Sequence, residues 1–245
     1  MALLLVLAQP PRALADPLVE QETRAAQART VEKVSGKNVA VAILDRGIDW
    51  RHPDFRNADG STRIAYIFDL SDNMGAQAAG NPYGFGTLYT RAQIDAALNG
   101  GPPLATRDAV GHGTATAGNC CGNGRASGGR YTGVAPDSTL IIVKFTSDGA
   151  VAHDGQAAET AFFDATRFPQ AVDFAVDKAR ELGMPLVMLA NFGSVNGRAD
   201  GSDAIAKKID AVVGPGKPGL VFITGAGDDG GGDNHAFGTV AARPV

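Results

Sequence analysis

The sequence reads as an α/β protein built on a doubly wound, mostly parallel sheet with helices on both faces. Short unbroken apolar runs alternate with segments of helical period, the pattern of βαβ units. The runs lack polar alternation, as strands buried on both faces do. Glycine is frequent, at 32 of 245 residues. The glycines cluster between these segments without a collagen period and mark tight loops.

Taken in order, Met1 to Ala8 is apolar and is followed by Ala13-Leu14-Ala15. Residues 1–15 therefore read as a signal peptide cleaved after Ala15, and the chain as secreted. Residues 16–35 are charged and helix-compatible, with Gly36-Lys37 as the stop. Residues 36–245 form the α/β domain. Asn38 to Leu44 is its first apolar strand and Arg63 to Phe68 its second. Leu70 to Thr90, rich in Gly, Asn and Ala, reads as a loop. Thr90 and Gln93 have capping-box spacing ahead of a short helix carrying Ile94, Ala97 and Leu98. A helix of small residues follows His112, and Leu140 to Phe145 is a third strand. Phe168, Val172, Ala175, Val176, Ala179 and Leu182 recur at helical spacing, stopped by Gly183 and Pro185. Leu186 to Ala190 is a fourth strand. Ser202 is placed to cap a helix with Ile205, Ile209 and Val212 inward, and Gly219 to Thr224 is the last strand. No internal repeat is visible.

Composition excludes several function classes. With 44% apolar and 20% charged residues the chain is ordinary for a folded domain. The net charge is −4 and no Lys or Arg cluster occurs, which argues against a nucleic-acid partner. No run approaches the ~18 apolar residues of a membrane span. The two cysteines, Cys120 and Cys121, are adjacent and cannot staple distant segments, so they read as small buried thiols. Nothing in the sequence specifies an oligomer.

In open parallel sheets, sites lie beyond the carboxyl ends of the strands. Asp45 follows the first strand and stands before a glycine turn, where a lone Asp is often a loop cap. His112 sits in Gly111-His112-Gly113-Thr114 at the start of a helix. Together they are more informative. A carboxylate can hold an imidazole in one tautomer and leave its other nitrogen as a base. Flanking glycines let backbone and substrate approach closely.

These residues resemble known motifs. Val41 to Phe55, with Asp45-Arg46-Gly47 and His52-Pro53-Asp54, resembles the aspartate motif of subtilisin-like serine peptidases. Gly111 to Gly118 resembles their histidine motif, and Gly133-Val134-Ala135-Pro136 their next landmark. Met188 to Gly193 is similar to the substrate-lining strand, and Val221 to Gly230 to the segment with the oxyanion residue. Five motifs in order, from Gly36 to Gly230, make the resemblance specific. It implies a peptide-bond hydrolase of the Asp-His-Ser type acting on polypeptides. Asp45 would orient His112, His112 would serve as base and then acid, and Asp228 would stand at the oxyanion position. Asn191, Phe192 and Gly193 would offer backbone groups to an extended substrate.

Four departures from the family pattern bear on function. The family's serine lies in a Gly-Thr-Ser-x-Ala motif, and no Gly-Thr-Ser occurs in this sequence. The domain therefore reads as a partial one, with part of its sheet edge and core left open. Asp228 replaces the usual asparagine. Losing such a donor costs about 10²–10³ in rate, and an aspartate helps only when protonated, so a mildly acidic optimum is expected. Ala115 stands where a second histidine is common, and Arg46 where Ser or Thr is usual. Asp54 matches a calcium-binding position of some relatives, but further oxygen ligands are not evident. No other cofactor and no catalytic metal is expected.

Three rival readings fit parts of the pattern. Gly225-x-Gly227-x-x-Gly230 after a strand formally fits a dinucleotide fingerprint, yet no helix signal follows it. A metal hydrolase using Asp45, His112 and His153 lacks a ligand pair at helical spacing. A non-catalytic, peptide-binding protein of the same fold is the alternative that the missing serine and Asp228 allow.

Overall fold

The computed structural model describes residues 22–75, 77–78, 80–152, 156–193, 200–225 and 227. Residues 1–15, read as a signal peptide, and Asp228 lie outside them, as does His153. From the segment read as helical, the described residues include helix α1 (Ala25–Val31).

A six-stranded sheet organises the rest. Its strands are β1 (Ala40–Asp45), β2 (Ile64–Asp69), β3 (Thr87–Thr90), β4 (Thr139–Lys144), β7 (Leu186–Ala190) and β8 (Leu220–Thr224), in the order β3-β2-β4-β1-β7-β8. All neighbours pair in parallel except β2 and β3, which are antiparallel. A separate two-stranded ribbon joins β5 (Thr146–Ser147) to β6 (Phe162–Phe163). The helices are α2 (Arg91–Leu98), α3 (His112–Cys121), α4 (Phe168–Glu181) and α5 (Ala204–Val212).

Strand periodicity sorts the core into two layers. Ala40, Ala42 and Leu44 of β1 join Ile141 and Val143 of β4 and the buried face of α4. Val41 and Ile43 join Leu140 and Ile142 on the opposite face, with Ile94 of α2 and Ala117 and Cys121 of α3. A register irregularity between Ile64 and Tyr66 brings Ile64 and Ile67 to this second face. The alternation that sends Val41 and Ile43 toward α3 sends Asp45 there too.

Several expectations need correction. The stretch read as a loop from Leu70 to Thr90 contains β3. This strand is four half-buried residues long at a sheet edge, too short to stand out among glycines and asparagines. The ribbon β5/β6 was likewise unread. The cap of α5 is Asp203, whose carboxylate accepts from the N–H groups of Ile205 and Ala206, and not Ser202. Cys121 is buried, while Cys120 is only half-buried. The expected capping box of Thr90 and Gln93 is in place, with Gln93 Oε1 accepting from the Thr90 N–H at 2.8 Å.

Candidate active site

Asp45 and His112 meet at the carboxyl end of the sheet. The strand β1 delivers Asp45 and the first residue of α3 is His112. His112 Nδ1 lies 2.6 Å from Asp45 Oδ1. The carboxylate is 1% exposed and the imidazole 38% exposed. With Nδ1 donating to the carboxylate, Nε2 is left as an acceptor. That is the arrangement of a base whose tautomer is held by a buried acid.

Close backbone packing sets this geometry. A Cβ on Gly113 would stand 2.1 Å from the Gly47 carbonyl oxygen, so only glycine lets α3 settle against the turn after Asp45. Gly47 itself has φ +113°, and a Cβ there would meet the Arg107 carbonyl at 2.5 Å. The N-terminus of α3 is capped by Asp108. Its Oδ2 accepts from the Thr114 N–H and hydroxyl, both at 2.7 Å, and its Oδ1 from the Gly111 N–H at 3.0 Å. The sequence reading missed Asp108, although an acid four residues ahead of a Gly-His helix start is the signal that could have found it.

The remaining bonds to Asp45 are unequal. Oδ1 also accepts from the Arg46 N–H at 2.7 Å, whereas Oδ2 is buried with no hydrogen-bond partner among the described residues. The Arg46 side chain turns away to Asp148, with Nε 2.8 Å from Oδ2.

Residues 191–193 follow β7 on the same rim of the sheet. The Asn191 amide donates to Thr116 Oγ1 on α3 at 3.1 Å, so this residue joins the side that holds His112. Phe192 points to the opposite layer, where its ring stacks on Phe145 at 4.6 Å between centroids and meets Phe168 edge-on. Its half-buried side chain thus packs against the core. Gly193 is exposed. Asp54 Oδ1 accepts from the Ala126 N–H at 2.6 Å, a donor where a cation site would need oxygens. No group of three or more His, Cys, Asp or Glu side chains among the described residues is placed to hold a metal. No helix among them is long and apolar enough to cross a membrane.

Beside the dyad lies a second polar group that the sequence reading did not anticipate. Lys144, at the end of β4, donates to the Arg107 carbonyl at 2.8 Å and to Glu159 Oε1 at 2.7 Å. Glu159 also accepts from Arg107 Nε at 3.3 Å and from the Ser147 hydroxyl. Burial alone would raise the Glu159 carboxyl. The hydrogen bonds from Lys144 and Ser147 and the Lys144 charge outweigh that and hold it below the usual carboxylate range.

Known proteins of similar sequence and structure are proteases. Over 111 residues the chain is 33% identical to the major intracellular serine protease of Bacillus subtilis (strain 168), which covers 45% of this chain and 25% of that protein. Among solved structures, the CspB protease of Clostridium perfringens superposes with a TM-score of 0.65 at 28% identity, over 83% of this chain and 40% of its own. The chain thus spans a quarter of the curated relative and two fifths of the solved one. Residues 36–241 match the model of the subtilase family, peptidase S8. With the collinear motifs, the mostly parallel sheet and the paired Asp45 and His112, that match establishes that the chain belongs to the subtilase family.

Proposed function

We propose that this chain carries the aspartate–histidine half of a serine endopeptidase that hydrolyses polypeptides. The observation that carries the reading is the 2.6 Å contact of His112 Nδ1 with the buried Asp45. His112 Nε2 takes the proton of an attacking serine hydroxyl and later returns it to the leaving amine. Asp45 fixes the ring and stabilises the imidazolium between those steps. No Gly-Thr-Ser motif occurs in this sequence, and we assign the nucleophile to a serine of the full-length gene product. An extended substrate adds along the main chain of Asn191, Phe192 and Gly193. Packing of the Phe192 ring into the core supports a main-chain role for that residue. Asp228 serves the oxyanion as a neutral acid, which gives a mildly acidic optimum. The steps use side-chain and backbone groups alone. Residues 1–15 support export, although the curated relative is named an intracellular protease.

The test is labelling of the full-length gene product with a fluorophosphonate, alongside cleavage of unstructured peptides. Labelling and cleavage are expected, and His112→Ala should lower kcat by about 10⁵–10⁶-fold. A product that binds peptides yet is neither labelled nor able to cleave them would overturn the reading in favour of a non-catalytic binder.

A further inference from the structure

Proton transfer does not use the buried charges beside the dyad, and their register explains what they do. Lys144 is paired with Asp45 of β1 on one side and with Asp69 of β2 on the other. The preceding pairs, Val41 with Leu140 and Ile43 with Ile142, belong to the layer that α3 covers. Strand periodicity therefore puts Asp45, Lys144 and Asp69 side by side on that face. Neighbouring strands are about 4.8 Å apart, well within the reach of a lysine stem.

The Lys144 side chain is 2% exposed, and a buried ammonium must be paired. Of the two flanking carboxylates, Asp69 is already engaged. Its Oδ2 accepts from the Thr106 hydroxyl at 2.6 Å, and its Oδ1 from the N–H and hydroxyl of Ser71. Asp45 Oδ2 has no hydrogen-bond partner among the described residues. The ammonium nonetheless points to Glu159 and to the Arg107 carbonyl. Other charges near the dyad have their own partners. Arg46 is held by Asp148, Asp108 by the N-terminus of α3, and Arg107 by Glu159, Gln156 and the Ala157 carbonyl.

We infer that Glu159 is a positioning residue for the dyad. By pairing with Lys144 it keeps the ammonium off Asp45 Oδ2 and leaves the Asp45 carboxylate to His112. With its ammonium held there, Lys144 also donates to the Arg107 carbonyl, which lies against Gly47, and so ties the loop ahead of His112 to the end of β4. This inference rests on the peptidase reading of the site. Without Glu159, Lys144 turns to Asp45, and the carboxylate is shared between an ammonium and an imidazole.

The test is proton NMR of the full chain, observing the low-field His112 imidazole N–H resonance that a hydrogen bond to a carboxylate produces. His112→Ala assigns the signal by its loss, and amide dispersion checks that each variant is folded. The signal is expected in the parent, lost in Glu159→Gln, and restored in Glu159→Gln combined with Lys144→Met, which removes the competing cation. A parent without the signal would refute the dyad itself. A parent with the signal and an unchanged Glu159→Gln spectrum would overturn the role of Glu159. Loss in both the single and the double variant would also overturn it, because Glu159 would then be only a structural tie. Should Glu159→Gln fail to fold, Lys144→Met and the double variant decide. Both are expected to keep the signal, and its absence from both overturns the inference.

Discussion

The strands β1 and β8 belong to one sheet and run in the same direction, yet they live in different surroundings. All six residues of β1 are buried, with β4 on one side, β7 on the other and helices on both faces. Among the described residues β8 pairs with β7 alone, and Val221 and Ile223 are 49% and 47% exposed. The difference shows what burying a carboxylate requires. Asp45 can sit at 1% exposure because the turn after it and α3 bring donors to it. Among the described residues β8 ends on Thr224 without such a frame.

The largest test of this contrast is a matched pair of truncations. Ile43, fully buried in β1, should cost about 2–5 kcal/mol as Ile43→Ala. Ile223→Ala at the edge removes the same atoms from a half-exposed site and should cost less than about 1 kcal/mol. Urea denaturation midpoints at constant slope measure both. Equal losses would mean that β8 is as enclosed as β1 in the molecule in solution.

A sharper comparison uses the two aspartate-capped helices. Asp203 caps α5 near the edge and Asp108 caps α3 at the site. Either cap, changed to alanine, should cost about 1 kcal/mol of stability. Only Asp108→Ala should also affect the site, by loosening the helix start that holds His112 opposite Asp45. The measurement is the same low-field imidazole resonance, expected to broaden in Asp108→Ala and to stay unchanged in Asp203→Ala. Broadening in both variants would show that the site is coupled to the edge.

The legible parts of the molecule were those written locally in the chain. The apolar runs of β1, β4 and β7 and the period of α4 are contiguous, so their burial can be read directly. Asp45 and His112 stood out because glycine turns and a strand end frame each of them. What stayed hidden depends on pairing across the fold. Lys144 reads as the last residue but one of an apolar run, and nothing near it in sequence points to Arg107 or Glu159, which lie 37 and 15 residues away. The ring of Phe192 follows Asn191 in a substrate-lining motif, and only the strand alternation shows that the two side chains part to opposite layers. The ribbon of β5 and β6 has two residues per strand, too few to carry a period.

The smallest effect concerns acid, and it separates centre from edge by charge. The Glu159 carboxyl is held below its ordinary value of 4.5 in the folded chain. A group whose folded value is depressed adds stability that is fully present above the unfolded value and is lost as pH falls through the folded one. Glu159 should therefore stabilise the fold at neutral pH, and this contribution should fade as pH drops from 4.5 downward. Asp200, near the edge, is also lowered, by its hydrogen bonds to the Ser202 hydroxyl and N–H, but it is fully exposed and solvent weakens its contribution. Glu159→Gln should thus flatten the acid limb of the stability profile more than Asp200→Asn does. Urea midpoints followed from neutral pH to below 4.5 measure the difference. Equal flattening would mean that the pair of buried Lys144 with half-buried Glu159 behaves as a surface pair, and that its surroundings are wetter than their packing indicates.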